Sequence, residues 1–175
     1  SSGKGAFVRP RGAMSLAAEV LHYAKQERIA WVDFVDEMFP QSIDWLGNFC
    51  AHWKTQVCLP FRFTAVAERM TPEILGLLRD AGCEGIRLGV ETGDEKFRAR
   101  IADRNLSNSR LKAVCEEASR LGIQVTLHTM VGLPLENPAL AQSTADLCER
   151  LHPAEVAATI YNPIVQTQLH QFCQE

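Results

Sequence analysis

The chain has 175 residues, of which 46% are hydrophobic and 22% charged, with a formal net charge of −3 and a pI near 6.0. These values predict one globular domain with a substantial core, and they exclude a disordered tail. The slightly negative net charge gives no basic surface for binding nucleic acid or an anionic membrane. No apolar run approaches the roughly 18–20 residues that a membrane span needs.

Helix and strand patterns alternate along the chain, beginning with a helix predicted at 15–26. Its apolar residues Leu16, Val20 and Tyr23 recur at helical spacing. Short runs rich in β-branched and aromatic residues then predict strands. Because these runs are apolar at both alternating positions, we expect strands that are covered on both faces. The predicted strands cover 29–35, 61–66, 85–90, 123–131 and 156–161.

Each helix between these strands has a recognisable start. Four polar residues that favour the N-cap position precede stretches with apolar residues at helical spacing, and two of the four are followed by proline at the first helical position. Gly82 and Gly122 stand where the second and third of these helices should end. The predicted N-caps are Ser42, Thr71, Ser107 and Asn137.

The strand starts are 24 to 38 residues apart, which is the size of repeated βα units with parallel strands. We therefore predict an α/β fold, a partial (β/α) TIM-type barrel with parallel strands in a single domain over 1–175. Five strands do not close an eight-stranded barrel, so the sheet is open or strands are missing at one or both ends. We expect the first predicted strand at an edge, and homo-oligomers formed through the exposed barrel edge.

The six cysteines are scattered, with no two closer than eight positions, and neither CxxC nor CxxxCxxC occurs. No metal site is therefore predicted from them. We interpret them as buried, reduced thiols. The first residues contain no apolar segment typical of a secretory signal, so we predict a cytoplasmic protein. The cysteines are Cys50, Cys58, Cys83, Cys115, Cys148 and Cys173.

Acids, glycines and prolines stand at the carboxyl ends of the predicted strands, where active sites of parallel α/β folds gather. Asp36 and Glu37 follow the first strand, and Glu91 follows the third. Glu91 is either a ligand contact or a loop acid paired with an arginine, for which Arg62 and Arg87 are the candidates. Further candidates at the ends of the last two strands are Met130, Gly132 and Pro163.

Five segments of the chain resemble the radical S-adenosylmethionine (radical SAM) superfamily, and most closely its cobalamin-associated branch. They resemble, in order, that family's entry to the first helix, its second strand, its third and fourth strands, its fifth strand with the Gly-Leu-Pro-x-Glu turn, and its sixth strand. The resemblance spans nearly the whole chain. The segments are RPRGAMSLAAEV, IAWVDFVDEMF, FTAVAERMTPEILGLLRDAGCEGIRLGVETGD, GIQVTLHTMVGLPLEN and IYNPIVQTQL.

The resemblance implies reductive cleavage of S-adenosylmethionine by an electron from a 4Fe-4S cluster, followed by radical abstraction of hydrogen from a substrate that stays unknown. It leaves open whether the protein uses cobalamin, which a separate domain would bind. It implies that Asp36 or Glu37 contacts the cofactor's amino group and that Glu91 contacts its ribose or amino-acid part. It further implies an adenine wall at 130–132, whose alternative interpretation is an ordinary strand-ending turn. Cofactor-binding residues are thus predicted at Asp36, Glu37, Arg62, Glu91, Met130, Gly132 and Pro163, with catalytic residues unknown.

The family's cluster-binding CxxxCxxC loop is absent from the chain and would precede Ser1. We therefore expect a fragment of a longer protein that is inactive alone, with cluster ligands outside this chain. Leu135 and Val165 stand where the family commonly has glycine, and Glu136 is interpreted as an acid at a helix N-terminus. Two alternatives stay open, a cluster-independent barrel enzyme using carboxylates as acid and base, and a non-catalytic binding or scaffold remnant.

Overall fold

Five parallel strands lie side by side in chain order in the computed structural model, which describes residues 11–36, 39 and 42–163. Because crossovers between parallel strands are generally right-handed, this sequential order places the connecting helices on one face. The sheet curls into a half-barrel. The predicted partial parallel barrel is confirmed. The strands are β1 (Val32–Phe34), β2 (Phe61–Ala65), β3 (Cys83–Glu91), β4 (Gln124–Val131) and β5 (Glu155–Ile160).

The helices begin where the capping residues predict. The side chains of all four predicted N-caps accept a hydrogen bond from the backbone N–H three residues later. A π-helical turn at Trp53–Val57 and a 3₁₀ turn at Ala67–Arg69 add two short elements. The α-helices are α1 (Ala13–Ala24), α2 (Ile43–His52), α3 (Pro72–Asp80), α4 (Glu95–Ala102), α5 (Asn108–Arg120) and α6 (Pro138–Leu151).

The main core lies between the convex face of the sheet and the helices. Alternate residues of β2, among them Phe61 and Phe63, are buried on this face, since successive side chains of a strand point to opposite sides. Trp53 from the π-helical turn packs against Phe61 with ring centroids 5.4 Å apart. Aromatic packing therefore ties α2 and its following turn to the first two strands.

The concave face of the sheet is polar, which differs from the expected cover on both faces. Arg87 of β3 donates hydrogen bonds to Asp33 of β1 at 2.8 Å and to Thr64 of β2 at 3.2 Å. The buried apolar residues of the strands thus lie on the helix-covered side, while the other side carries a hydrogen-bonded network across three strands.

The two edges of the sheet are β1 and β5. The expected position of β1 at an edge is confirmed, although this strand is shorter than the predicted 29–35. On β5, Val156 is 44% and Ile160 82% exposed. Self-association through a barrel edge stays a prediction. Within the described ranges, no helix has the length and apolar character needed to cross a membrane.

Candidate functional site

A cavity of about 300 Å³ opens at the carboxyl ends of β3, β4 and β5. Its wall is largely apolar, with a few polar groups among aliphatic and aromatic side chains, which is the usual composition of a small-molecule site. Two of the predicted site residues, Glu91 and Met130, lie in this wall. The wall also includes Thr92, Ile101, Leu133, Thr159, Tyr161 and Asn162.

Glu91 ends β3 in a left-handed backbone conformation, with φ of 63°. Such a conformation is costly for a residue with a side chain and marks a site where surrounding contacts impose it. The pairing of β3 with β4 shifts between Gly89 and Glu91, so the strand is distorted at this point. A Cβ at Gly89 would lie 2.7 Å from the Glu91 Oε1 atom, so glycine there leaves room for the carboxylate.

The Glu91 carboxylate is partly buried, with 22% of its side chain exposed. Burial raises its pKa above the ordinary value, although Arg104, His128 and Arg98 act in the opposite direction. The Arg104 Nη1 atom lies 3.7 Å from Glu91 Oε1, beyond hydrogen-bonding distance. Because its nearest cation is held at that distance, the carboxylate keeps acceptor capacity for a cationic or hydroxylated ligand.

Arg104 is the charged partner of Glu91, and neither Arg62 nor Arg87 takes that place. Its Nε and Nη2 atoms donate to both carboxylate oxygens of Glu68 at 3.1 and 3.0 Å, and Nη1 donates to Gly89 O at 2.7 Å. Burial acts to raise the pKa of Glu68, but the hydrogen bonds from Arg104 lower it overall. Glu68 and Arg104 thus form a fixed ion pair beside the site.

Sequence reasoning missed Arg104 because it did not predict α4 and the loop after it. It also missed Glu68, which lies in the 3₁₀ turn after β2. The signal for this helix was present. Asp94 is a favourable N-cap residue and accepts from Phe97 N at 2.7 Å, and Phe97 and Ile101 are apolar residues four positions apart. A prediction of α4 would have placed Arg104, which follows this helix, near the carboxyl end of β3.

The turn after β4 is held by a carboxylate. Gly132 has φ of 76° and Leu135 φ of 67°, so Leu135 adopts a conformation that favours glycine, the residue expected there from the family resemblance. Glu136 Oε2 accepts hydrogen bonds from Gly132 N at 2.6 Å and Leu133 N at 3.3 Å. Glu136 therefore stabilises the turn. It directly precedes Asn137, the N-cap of α6, and its expected stabilisation by the helix N-terminus stays a prediction.

The other predicted site residues lie away from the cavity wall. Asp36 is exposed two residues after β1, and Glu37 lies outside the described residues. Arg62 lies near the start of β2, at the opposite end of the sheet, with its guanidinium 5.3 Å from the Trp31 ring centroid. Pro163 follows Asn162 of the wall and is half-buried. Their roles stay predictions.

The loop after Glu91 packs directly on α6. Gly93 N donates to the buried Thr144 Oγ1 at 2.8 Å. A Cβ on Gly93 would lie 2.2 Å from the Ser143 carbonyl oxygen and 2.6 Å from Thr144 Cα. Only glycine permits this approach, because the obstructing atoms belong to the helix backbone.

Gly93→Ala should therefore lower the free energy of unfolding by about 1–3 kcal/mol, because the loop and α6 must separate. Urea denaturation followed by circular dichroism measures this loss. Gly76→Ala is the matched control, since nothing lies within 4 Å of a Cβ at Gly76 in α3 and alanine favours the helix. Equal stability of Gly93→Ala and the unsubstituted chain would contradict the close packing.

The cysteines do not fit a metal cluster. Among residues 11–36, 39 and 42–163, no group of three or more His, Cys, Asp or Glu side chains could hold a metal ion. Burial raises the thiol pKa to about 11 for Cys50 and Cys115 and to about 12 for Cys83, which disfavours the thiolate that iron binds. The described cysteines therefore lack the grouping of cluster ligands, and Cys50, Cys83 and Cys115 are also disfavoured as thiolates.

Comparison with known proteins identifies the family. The sequence model of the radical SAM superfamily matches residues 51–148. This range is more than half of the chain and runs from α2 to α6. No curated protein sequence matches the chain. A radical S-adenosylmethionine methyltransferase, TsrM from Kitasatospora setae, is similar in structure, with a TM-score of 0.75 and 17% identity over 86% of this chain and 31% of its own.

Two further solved structures share the fold. The coproporphyrinogen III oxidase HemN from Escherichia coli has a TM-score of 0.73 and 14% identity over 87% of this chain and 37% of its own. The cobalamin-dependent S-adenosylmethionine radical enzyme OxsB has a TM-score of 0.67 and 18% identity over 95% of this chain and 26% of its own. The chain thus spans about a third of the length of these structures. Because the family model matches the sequence from β2 to β4, and because the sheet is parallel and curled, the chain belongs to the radical SAM superfamily.

Proposed function

We propose that this chain contributes part of the S-adenosylmethionine site of a radical SAM enzyme that works in the cytoplasm. The observation that carries the proposal is the cavity at the carboxyl ends of β3 to β5, with the partly buried Glu91 carboxylate in an otherwise mostly apolar wall. When bound, S-adenosylmethionine supplies the radical that such enzymes use to remove a hydrogen atom from a substrate.

The wall of the cavity suits the parts of S-adenosylmethionine. Met130 and Leu133 offer an apolar surface for adenine, while Glu91 accepts hydrogen bonds from ribose hydroxyls or from the amino group. Arg104, which is held by Glu68 and does not line the cavity, lies 3.7 Å from Glu91 and attracts its carboxylate. The protein's own contribution is to bind and orient the cofactor.

In this proposal, other parts of a longer protein bind the cluster and any cobalamin. The described cysteines do not fit a cluster, so its ligands would come from outside them. TsrM and OxsB, which resemble this chain in fold, are structures with bound cobalamin. We propose that cobalamin, where used, binds a separate domain.

Replacing Glu91 with alanine tests the site. Glu91→Ala should weaken S-adenosylmethionine binding by about 1–3 kcal/mol, because a polar group of the cofactor loses its charged acceptor. Isothermal titration calorimetry under anaerobic conditions measures the affinity, on a longer protein that contains the cluster-binding loop. The affinity of the unsubstituted longer protein should also fall as the pH is lowered through the raised pKa of Glu91, since only the carboxylate attracts a cation.

Glu84→Ala is the matched control, because Glu84 is an exposed acid at the other end of the same strand and should leave the affinity unchanged. Unaltered affinity in Glu91→Ala would remove Glu91 from the site. No measurable binding of S-adenosylmethionine by the unsubstituted longer protein with its cluster assembled would contradict the proposal and favour the cluster-independent enzyme or the non-catalytic module.

A further inference from the structure

Arg98 of α4 is the only fully buried charged side chain in the described part of the protein, with 0% exposure. A buried cation is costly unless its donors are satisfied, so its position calls for a physical reason. No carboxylate within the described ranges accepts a hydrogen bond from it. Its acceptors are the carbonyl oxygens of Val90, Thr92 and Leu106 and the side-chain oxygen of Asn108.

Two of these acceptors flank Glu91 on either side. Arg98 Nε donates to Val90 O at 2.9 Å and to Thr92 O at 3.0 Å, and Nη2 donates to Thr92 O at 2.6 Å. The guanidinium is a rigid planar fork, so these bonds fix the relative position of the two carbonyl groups. The peptide group between Val90 and Glu91 and the peptide group between Thr92 and Gly93 are thus both held by one side chain.

Glu91 is the central residue of a tight turn between these carbonyls. Thr92 N donates to Val90 O at 2.8 Å, and the φ of Glu91 is 63°. A three-residue turn with a positive φ at its centre is the rare and strained form of the γ-turn. The strain persists only if other contacts impose the turn, and the Arg98 fork is the contact that spans it.

A second residue ties the same network to α5. Asn108, whose side-chain oxygen accepts from Arg98 Nη2 at 2.8 Å, donates from Nδ2 to Gly93 O at 2.9 Å. The loop after Glu91 is thereby fastened from Val90 to Gly93. The cavity wall at Glu91 consequently depends on side chains that lie behind it and do not line it.

We infer that Arg98 is a positioning residue, which holds the strained turn at Glu91 so that the Glu91 carboxylate lies in the cavity wall. The inference rests on the proposed S-adenosylmethionine site for its functional consequence, but its structural part is independent of any ligand. Arg98 does not line the cavity, so it acts on the cavity through the wall residues that it holds, Glu91 and Thr92.

The structural part is tested by NMR on the chain without ligand. In Arg98→Met, the ¹³Cα and ¹³Cβ shifts of Glu91 should leave left-handed values and approach those of extended backbone. Arg110→Met is the matched control, because Arg110 also donates to backbone carbonyls, at Glu68 and Met70, but not to those around Glu91. Arg98→Lys serves if the methionine variant does not fold, since it keeps the charge and loses the planar fork. Unchanged Glu91 shifts in the folded variant would overturn the inference.

The functional part is tested by a double-mutant cycle on S-adenosylmethionine affinity. Arg98→Lys should weaken binding about tenfold when Glu91 is present and by less than about twofold in the Glu91→Ala background, because the two residues act as a unit. An equal loss in both backgrounds would show a general structural role and overturn the inference. Absence of binding in the unsubstituted longer protein with its cluster contradicts the proposed function instead, and the NMR result then decides the role of Arg98.

Discussion

Trp53→Ala should lower the free energy of unfolding by about 3–5 kcal/mol, the usual cost of removing a large aromatic side chain from a core. Trp53 is fully buried, and its ring centroid lies 5.0 Å from that of Phe49 and 5.3 Å from that of Phe34. The substitution also leaves the Leu59 carbonyl oxygen without the 2.7 Å hydrogen bond from Trp53 Nε1. Since domains are stable by about 5–15 kcal/mol, this variant should be close to unfolding.

Urea denaturation monitored by circular dichroism measures the effect, with Trp31→Ala as the matched control. Trp31 is 50% exposed and contacts Arg62 on the concave side, so its removal should cost less than about 1 kcal/mol. Similar losses in the two variants would show that the aromatic cluster around Trp53 is not the principal core of this half-barrel.

The 175-residue chain should not assemble a 4Fe-4S cluster when it is reconstituted anaerobically with iron and sulfide. A radical SAM cluster needs three thiolates from one short loop, whereas the cysteines here are separated along the chain and those that are buried have raised pKa values. Iron content after desalting should stay far below that of a complete cluster. S-adenosylmethionine should not be cleaved reductively.

Iron analysis, absorbance in the sulfur-to-iron charge-transfer region and chromatography for 5′-deoxyadenosine measure these outcomes. Cys58→Ser is the control for adventitious iron, because Cys58 is the exposed cysteine among the described residues. A radical SAM enzyme that carries its cysteine loop, treated in parallel, verifies the procedure. Stoichiometric cluster incorporation together with 5′-deoxyadenosine formation would show that the scattered cysteines converge.

Local signals in the sequence predicted most of the helices and strands correctly. Ser42, Thr71, Ser107 and Asn137 each cap a helix as expected, because N-cap hydrogen bonds involve residues only three positions apart. Strand spacing and apolar runs predicted the parallel order, because short connections and right-handed crossovers leave few alternatives. The least accurate strand was β1, where three residues form the ladder with β2.

The sequence by itself determined the fold class, the family and the presence of Glu91 at a strand end, since these depend on patterns along neighbouring residues. Only the tertiary structure decided how Glu91 is held. Glu91 has a positive φ, and its charged partner Arg104 lies 13 positions later in the chain. The buried guanidinium of Arg98 comes from a separate helix. All three features depend on contacts between separate elements. The reason is energetic, because a residue with a side chain adopts such a turn only when long-range hydrogen bonds offset the local strain.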